Sequence, residues 1–298
     1  MNLILSRKGM DSGSGGSFSP YDSETGRYIW FPIPERNNKY AHTIRYQDVS
    51  VKEGYLPGLT GTTLSDIYET WKKKSKLKLK KKEFGNVYDS YTHFDPMLGT
   101  APWIVDTNSK TIGRAFGQTN AAPHLQKKQV GKGDVFLFFG GFEAIGSKEK
   151  GHFIYGWMKV KHRIETFEEA LPKLEEFGLQ HHPHMYEKTF QKLNYIFLPD
   201  EWLFEDLGIP GCGYFSELSS SLCLSAALTN KPGTWELPSF FHKNLSQVHQ
   251  KTWELGKERC TVSTGIGQEF VASCPKEGEQ WLRNLFTENP IYTPSHQK

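Results

Sequence analysis

Short runs of aromatic and β-branched residues, each closed by Gly, Pro or Asn, constrain this chain more than any other feature. Such residues suit a pleated, half-buried surface, so the pattern predicts strands over 2–6, 27–33, 42–46, 135–142, 153–160, 194–198 and 268–273. Helical periodicity is scarcer. It predicts helices over 64–74, 166–177 (with Pro172 inside), 244–255 and 278–287. There is no internal repeat, and no strand–helix alternation regular enough for a doubly wound parallel sheet. The expectation is a strand-rich α+β fold with a mixed sheet. One domain spans 1–287 in this reading, with a basic insertion over about 55–90 and a loose tail over 288–298.

One local pattern adds an alternative for part of the sheet. GKGDVFLFFGGFE (131–143) is followed by HFIYGWMKVKHR (152–163), a Lys-Gly-Asp turn, a buried strand and a Gly-Trp strand. The pair resembles the strands of small PUA- and EVE-type barrels, in which such strands wall a pocket for a base. An ordinary hairpin is the plainer reading.

Composition bounds the function. With 298 residues and 37% hydrophobic content the chain can bury a real core. Its 14% aromatic content includes eight Trp and 20 Phe, enough for some rings, such as Trp103, Phe139 or Trp157, to stack on a base. Filling the core is the simpler use of any single ring. No apolar run reaches the ~20 residues of a membrane span. The opening MNLILSRKGMD lacks a signal peptide's apolar region and cleavage site, so a cytoplasmic chain with reduced thiols is expected. Cys212, Cys223, Cys260 and Cys274 show no CxxC spacing. The formal charge of +3 is local, because the eight lysines of WKKKSKLKLKKK (71–82) leave the rest net negative. That run is either a solvated face or a phosphate-binding arm for nucleic acid.

Three clusters could carry chemistry. After the first strand comes SRKGMDSGSGG, in which Gly15 and Gly16 free backbone N–H groups for an anion. Arg7, Lys8 and Ser12 add phosphate donors and Asp11 a carboxylate. No P-loop or GxGxxG is present. Second, THFDP places His93 and Asp95 two apart, on one face if the segment is a strand. With His182 or His184 of HHPH, or His124 of APHLQ, they could form a two-histidine, one-carboxylate site for Fe(II) or Mn(II). A metal-free alternative uses Asp95 as general base with His93 or His184. Third, the amide-rich stretch RAFGQTNAAPHLQKKQ offers Gln118 to a base edge. No serine elbow or Cys–His pair supports acyl transfer.

The series LSRKGMDSGSGGSFSP, PIPE, THFDP, FGQTNAAPHLQ, GDVFLFFGGF, HPH and GQEFV runs in order along nearly the whole chain. It resembles the nucleotide modification associated domain family, type three, bacterial and phage proteins grouped by gene neighbourhoods that modify DNA bases. The resemblance implies a nucleotide or DNA partner, and it adds Gln268 and Glu269 to the residues above as members of one site or scaffold. The expected function is modification of a nucleotide or a DNA base, by an enzyme. The alternative is a non-catalytic reader of modified bases.

Overall fold

In the computed structural model the apolar run at the N-terminus becomes an inner strand of a wide sheet. The structure describes residues 1–11, 15–35, 44–75, 90–105, 109–228, 232–241, 245–246, 251–254, 259–263 and 269–294. In chain order the strands are β1 (Asn2–Arg7), β2 (Ser19–Tyr21), β3 (Ile33–Glu35), β4 (Tyr91–His93), β5 (Met97–Leu98) and β6 (Arg114–Gln118). Next come β7 (Val135–Ala144), β8 (Lys150–Ile164), β9 (Tyr195–Pro199), β10 (Trp202–Phe204), β11 (Ile209–Pro210) and β12 (Cys212–Tyr214). The last are β13 (Thr234–Pro238), β14 (Leu245–Ser246), β15 (Lys251–Glu254), β16 (Arg259–Ser263) and β17 (Glu269–Ser273). Helices are α1 (Leu64–Lys74), α2 (Ala122–Lys127), α3 (Phe167–Ala170), α4 (Leu174–Phe177), α5 (Glu187–Phe190) and α6 (Lys276–Glu288).

The fold is α+β, around a mixed ten-stranded sheet of order β14-β17-β1-β7-β8-β9-β6-β5, with β12 added to β8 and β2 to β7. β1 runs parallel to β7, Leu3 opposite Val135, and antiparallel to β17, Ser6 opposite Glu269. The 131–163 hairpin is therefore the middle of this sheet, β7 against β8. No closed barrel forms among the described residues.

Alternation along β1 divides the core. Leu3 and Leu5 join Leu137, Phe139, Trp157 and Phe270 on one face, where α6 lays down Leu282, Leu285 and Phe286. Their i, i+3, i+4 spacing is that of a helix stripe packed on a sheet. Ile4 points the other way, with Phe116, Phe136, Phe138 and Val271, beneath a layer of irregular chain and α1. α1 starts at a capping box in which Thr63 and Asp66 bond each other, and it buries Leu64, Ile67, Tyr68 and Trp71. Within the expected insertion, Leu56, Leu59, Leu64, Ile67, Tyr68 and Trp71 join this core. Lys72–Lys74 end the helix exposed, and the lysines from 76 to 82 lie outside the described residues.

Several expectations are corrected. Residues 27–33 are not one strand, because their backbone bonds scatter to Pro20, to the Ser19 hydroxyl and to Met10. The helix expected over 244–255 is replaced by strands β14 and β15, whose pairing with β17 and β16 is invisible to local periodicity. The first residues of the expected tail are held to the fold, the Tyr292 N–H donating to Tyr214 O and the Asn289 amide to Leu285 O, and residues 295–298 lie outside the described residues. Trp103, Phe139 and Trp157 are fully buried in the core. No helix among the described residues is long and apolar enough to cross a membrane.

Candidate functional site

The Ile4 face of the sheet ends in polar residues rather than apolar ones. Ser6 and Lys8 continue the parity of Ile4, Glu269 that of Val271, and Gln118 that of Phe116. Lys8 leaves β1 at Gly9, whose φ of +85° and closeness to the Trp30 indole both demand glycine; a Cβ there would lie 2.2 Å from Nε1. The Lys8 ammonium is buried 4.3 Å over the Phe116 ring, 3.4 Å from Glu269 Oε1 and 3.8 Å from Asp95 Oδ2. The Gln118 amide donates to the same Glu269 oxygen at 2.5 Å.

Above this floor opens a cavity of about 560 Å³ lined by Arg7, Lys8, Asp11, Ile33, Glu35, His93, Asp95, Gln118, Thr119, Asn120 and His184. Tyr186, Lys188, Thr189 and Lys192 also line it, and the two lysines are exposed. The antiparallel ribbon of β3 and β4 pairs Ile33 with His93 and Glu35 with Tyr91, so His93 and Glu35 project from one face. His93 Nδ1 lies 3.2 Å from Glu35 Oε1. Asp95 follows the strand as coil rather than lying in it, yet it reaches the same centre. Its Oδ1 accepts from the Gly117 N–H at 2.8 Å and faces His182 Nε2 at 3.2 Å.

His184 enters the cavity over Gly117, where any Cβ would sit 2.3 Å from its ring. Its Nδ1 lies 3.0 Å from Asn194 Oδ1 and 3.1 Å from the Thr119 hydroxyl. The Asn194 amide donates to His184 O, which fixes the orientation of its oxygen. Burial lowers the His184 imidazole to about 3 against the pull of Asp95. For Asp95, burial would raise the carboxyl, but the His182 hydrogen bond, Lys8 and His184 outweigh it and hold it well below the usual carboxylate range. Burial pushes Glu269 up, with Lys8 opposing. A neutral imidazole thus stands beside an ionised carboxylate at neutral pH.

Among the sequence-predicted residues, Arg7, Lys8, Asp11, His93, Asp95, Gln118 and His184 line the cavity, and Arg7 ion-pairs with Asp11. Glu269 lies directly beneath them. His182 does not face the cavity: its Nδ1 accepts from the His184 N–H and its Nε2 backs Asp95. His124 is also displaced, because α2 turns Ala122 and Leu125 to the core and leaves His124 off that face. Gly15 and Gly16 close a turn, the Gly16 N–H donating to Asp11 O, and neither lines the cavity. Ser12 and Gln268 lie outside the described residues. Sequence reasoning missed Glu35, Thr119, Asn194, Lys188 and Lys192; the PIPE motif was the one signal for Glu35.

A profile of nucleotide modification associated domain 3 matches residues 2–273. The chain belongs to this family. No curated protein and no solved structure matches it. The family match ends with β17, although α6 beyond it supplies part of the core. Six of the seven motifs quoted above place a side chain in the cavity or its floor: Arg7 and Lys8, Glu35, His93 and Asp95, Gln118, His184 and Glu269. The seventh, GDVFLFFGGF, is the buried strand β7. A second hollow of about 700 Å³ is lined by Ser219, Ser220, Ser221 and Cys223, with Glu149 and Glu236 as its ionisable carboxylates and, among the described residues, no Lys, Arg or His.

Proposed function

We propose that the protein is an enzyme that modifies a nucleotide or a base in DNA, and that the reaction takes place in the 560 Å³ cavity. The observation carrying this reading is the convergence of His93, Asp95 and His184 at the floor of a cavity with Arg7, Lys188 and Lys192 along its walls. Its volume suits one small ligand. Cations at the wall suit a phosphate, and the mixed donors of Gln118 and Asn120 suit the edge of a base. A base in a duplex would have to leave its stack to enter. Among the described residues Tyr186 is the one Phe, Tyr or Trp lining the cavity, whereas a reader of modified bases needs stacking surfaces more than ionisable groups.

Mass spectrometry of nucleosides tests the reading, after the protein is incubated with deoxynucleotides or single-stranded DNA. A mass-shifted nucleoside is expected with the wild type and not with Asp95→Asn. Nucleotide binding without product, unaffected by Asp95→Asn, would turn the assignment toward a reader. DNA and free nucleotide are separable by salt. If DNA is the substrate, replacing Lys78, Lys80, Lys81 and Lys82 by Ser should flatten the slope of log K against log salt by up to about 3–4 units.

A further inference from the structure

Three donor atoms at the cavity floor face one another. His93 Nε2 and His184 Nε2 are 3.3 Å apart, His184 Nε2 is 3.9 Å from Asp95 Oδ2, and the set fits within 4.8 Å. Two ligand atoms bound to one ion at about 2.1 Å are themselves about 3.0–3.7 Å apart over the usual coordination angles. The two separations from His184 Nε2 need to change by only a few tenths of an ångström, and that between His93 and Asp95, within 4.8 Å, by about 1 Å at most.

The outer partner of each donor aims it at the same point. Asn194 and Thr119 hold His184 by Nδ1, Glu35 faces His93 Nδ1, and Gly117 and His182 occupy the Oδ1 side of Asp95. Imidazoles fixed through one nitrogen and a carboxylate fixed through one oxygen are how proteins orient metal ligands. Asp95 supplies an independent observation. The residue is 2% exposed, and among the described residues its Oδ2 accepts no hydrogen bond. Lys8, at 3.8 Å, is too far to donate and is closer to Glu269. A buried carboxylate oxygen without a donor costs free energy that a cation at this point would offset.

We propose that His93 Nε2, Asp95 Oδ2 and His184 Nε2 bind one divalent first-row transition ion, with the remaining coordination positions open to the cavity. Two imidazoles and a carboxylate suit Fe(II), Mn(II) or Zn(II). His182 is then an outer partner of Asp95 rather than a ligand. The ion's part in nucleotide chemistry rests on the proposed function; its binding does not.

Metal titration of the full chain decides the matter. Protein stripped with chelator is loaded anaerobically with Fe(II), Mn(II) or Zn(II), and bound metal is measured by elemental mass spectrometry. One ion per chain is expected for the wild type, and loss of at least nine-tenths of it for His93→Gln and Asp95→Asn, with folding checked by near-ultraviolet circular dichroism. Asn194→Ala, which keeps all three ligands, should weaken affinity about 10–100-fold. A wild type that takes up none of the three metals overturns the proposal, as does full stoichiometry in a folded His93→Gln, Asp95→Asn double variant. Nucleotide turnover by a wild type that takes up none of the three metals would overturn this inference and leave the proposed function standing. Metal binding without any nucleotide recognition would do the reverse.

Discussion

His152 and His184 are both buried histidines whose imidazoles burial lowers to about 3, and their surroundings have nothing else in common. His152 sits on β8 in the aromatic cluster beneath α6. Its Nδ1 accepts from the Trp235 indole at 2.9 Å, and the Phe139 and Trp235 rings pack around it. Arg7 pushes its proton affinity in the same direction as burial. At His184 the nearest charge, Asp95, opposes burial, a second imidazole stands 3.3 Å away, and the group opens to a cavity. Equal net shifts therefore come from different balances of burial and neighbouring charge, and it is the neighbours that report what a group can do. His152 completes a core; His184 belongs to a site.

The largest expected effect removes the partner of the structural histidine. Trp235→Ala deletes a fully buried indole and strands His152 Nδ1, which should cost about 3–5 kcal/mol in urea denaturation. The folded fraction should bind nucleotide as the wild type does. Loss of binding at full folding would mean that the two regions are not separable.

Acid titration comes next. Because burial lowers the His152 proton affinity, the unfolded chain binds a proton that the folded one refuses between about 6.5 and about 3. Stability is full above that window and is lost as the pH falls through it, by about 1.4 kcal/mol per pH unit for each such histidine. His152→Gln should remove one histidine's share of that slope. Denaturation midpoints from pH 7 to 4 measure it, and an unchanged slope would show that His152 is not held neutral. Asp95, with its lowered carboxyl, stabilises above its ordinary range and loses that contribution only at lower pH.

Glycine substitutions sharpen the contrast further. Gly117→Ala forces a Cβ to within 2.3 Å of the His184 ring, so it should destabilise by about 1–3 kcal/mol and reduce metal and nucleotide affinity together. At Gly131 an added Cβ meets nothing within 4 Å, and Gly131→Ala should stay within about 0.5 kcal/mol with binding intact. Equal effects at the two positions would contradict the packing of His184 on Gly117.

The same division explains what was legible in the sequence. β1, β7, β8, β9, β17, α1 and α6 follow local periodicity, and Arg7 and Lys8 sit at the end of β1, whereas His93 and Asp95 lie at and just after the short β4 and His184 lies in a loop ahead of α5. Residues 28–31 do not alternate, because all four side chains are buried in irregular chain, so their aromatic content mimicked a strand. Glu35, Thr119 and Asn194 are ordinary residues by type. Only the β3–β4 register and the fold over Gly117 bring them to the histidines. His182 and His184 could not be told apart in HPH, since spacing says nothing of which ring turns inward.

A nucleotide in the cavity over His93, Asp95 and His184 is the expectation on which everything else depends. A crystal structure of the protein with a deoxynucleoside monophosphate tests this most directly. The phosphate is expected within reach of Arg7, Lys188 or Lys192 and the base against Gln118 and the His93–Asp95–His184 group. A nucleotide bound instead in the serine-lined hollow around Ser219–Ser221 and Cys223, with this cavity left to solvent, would contradict it.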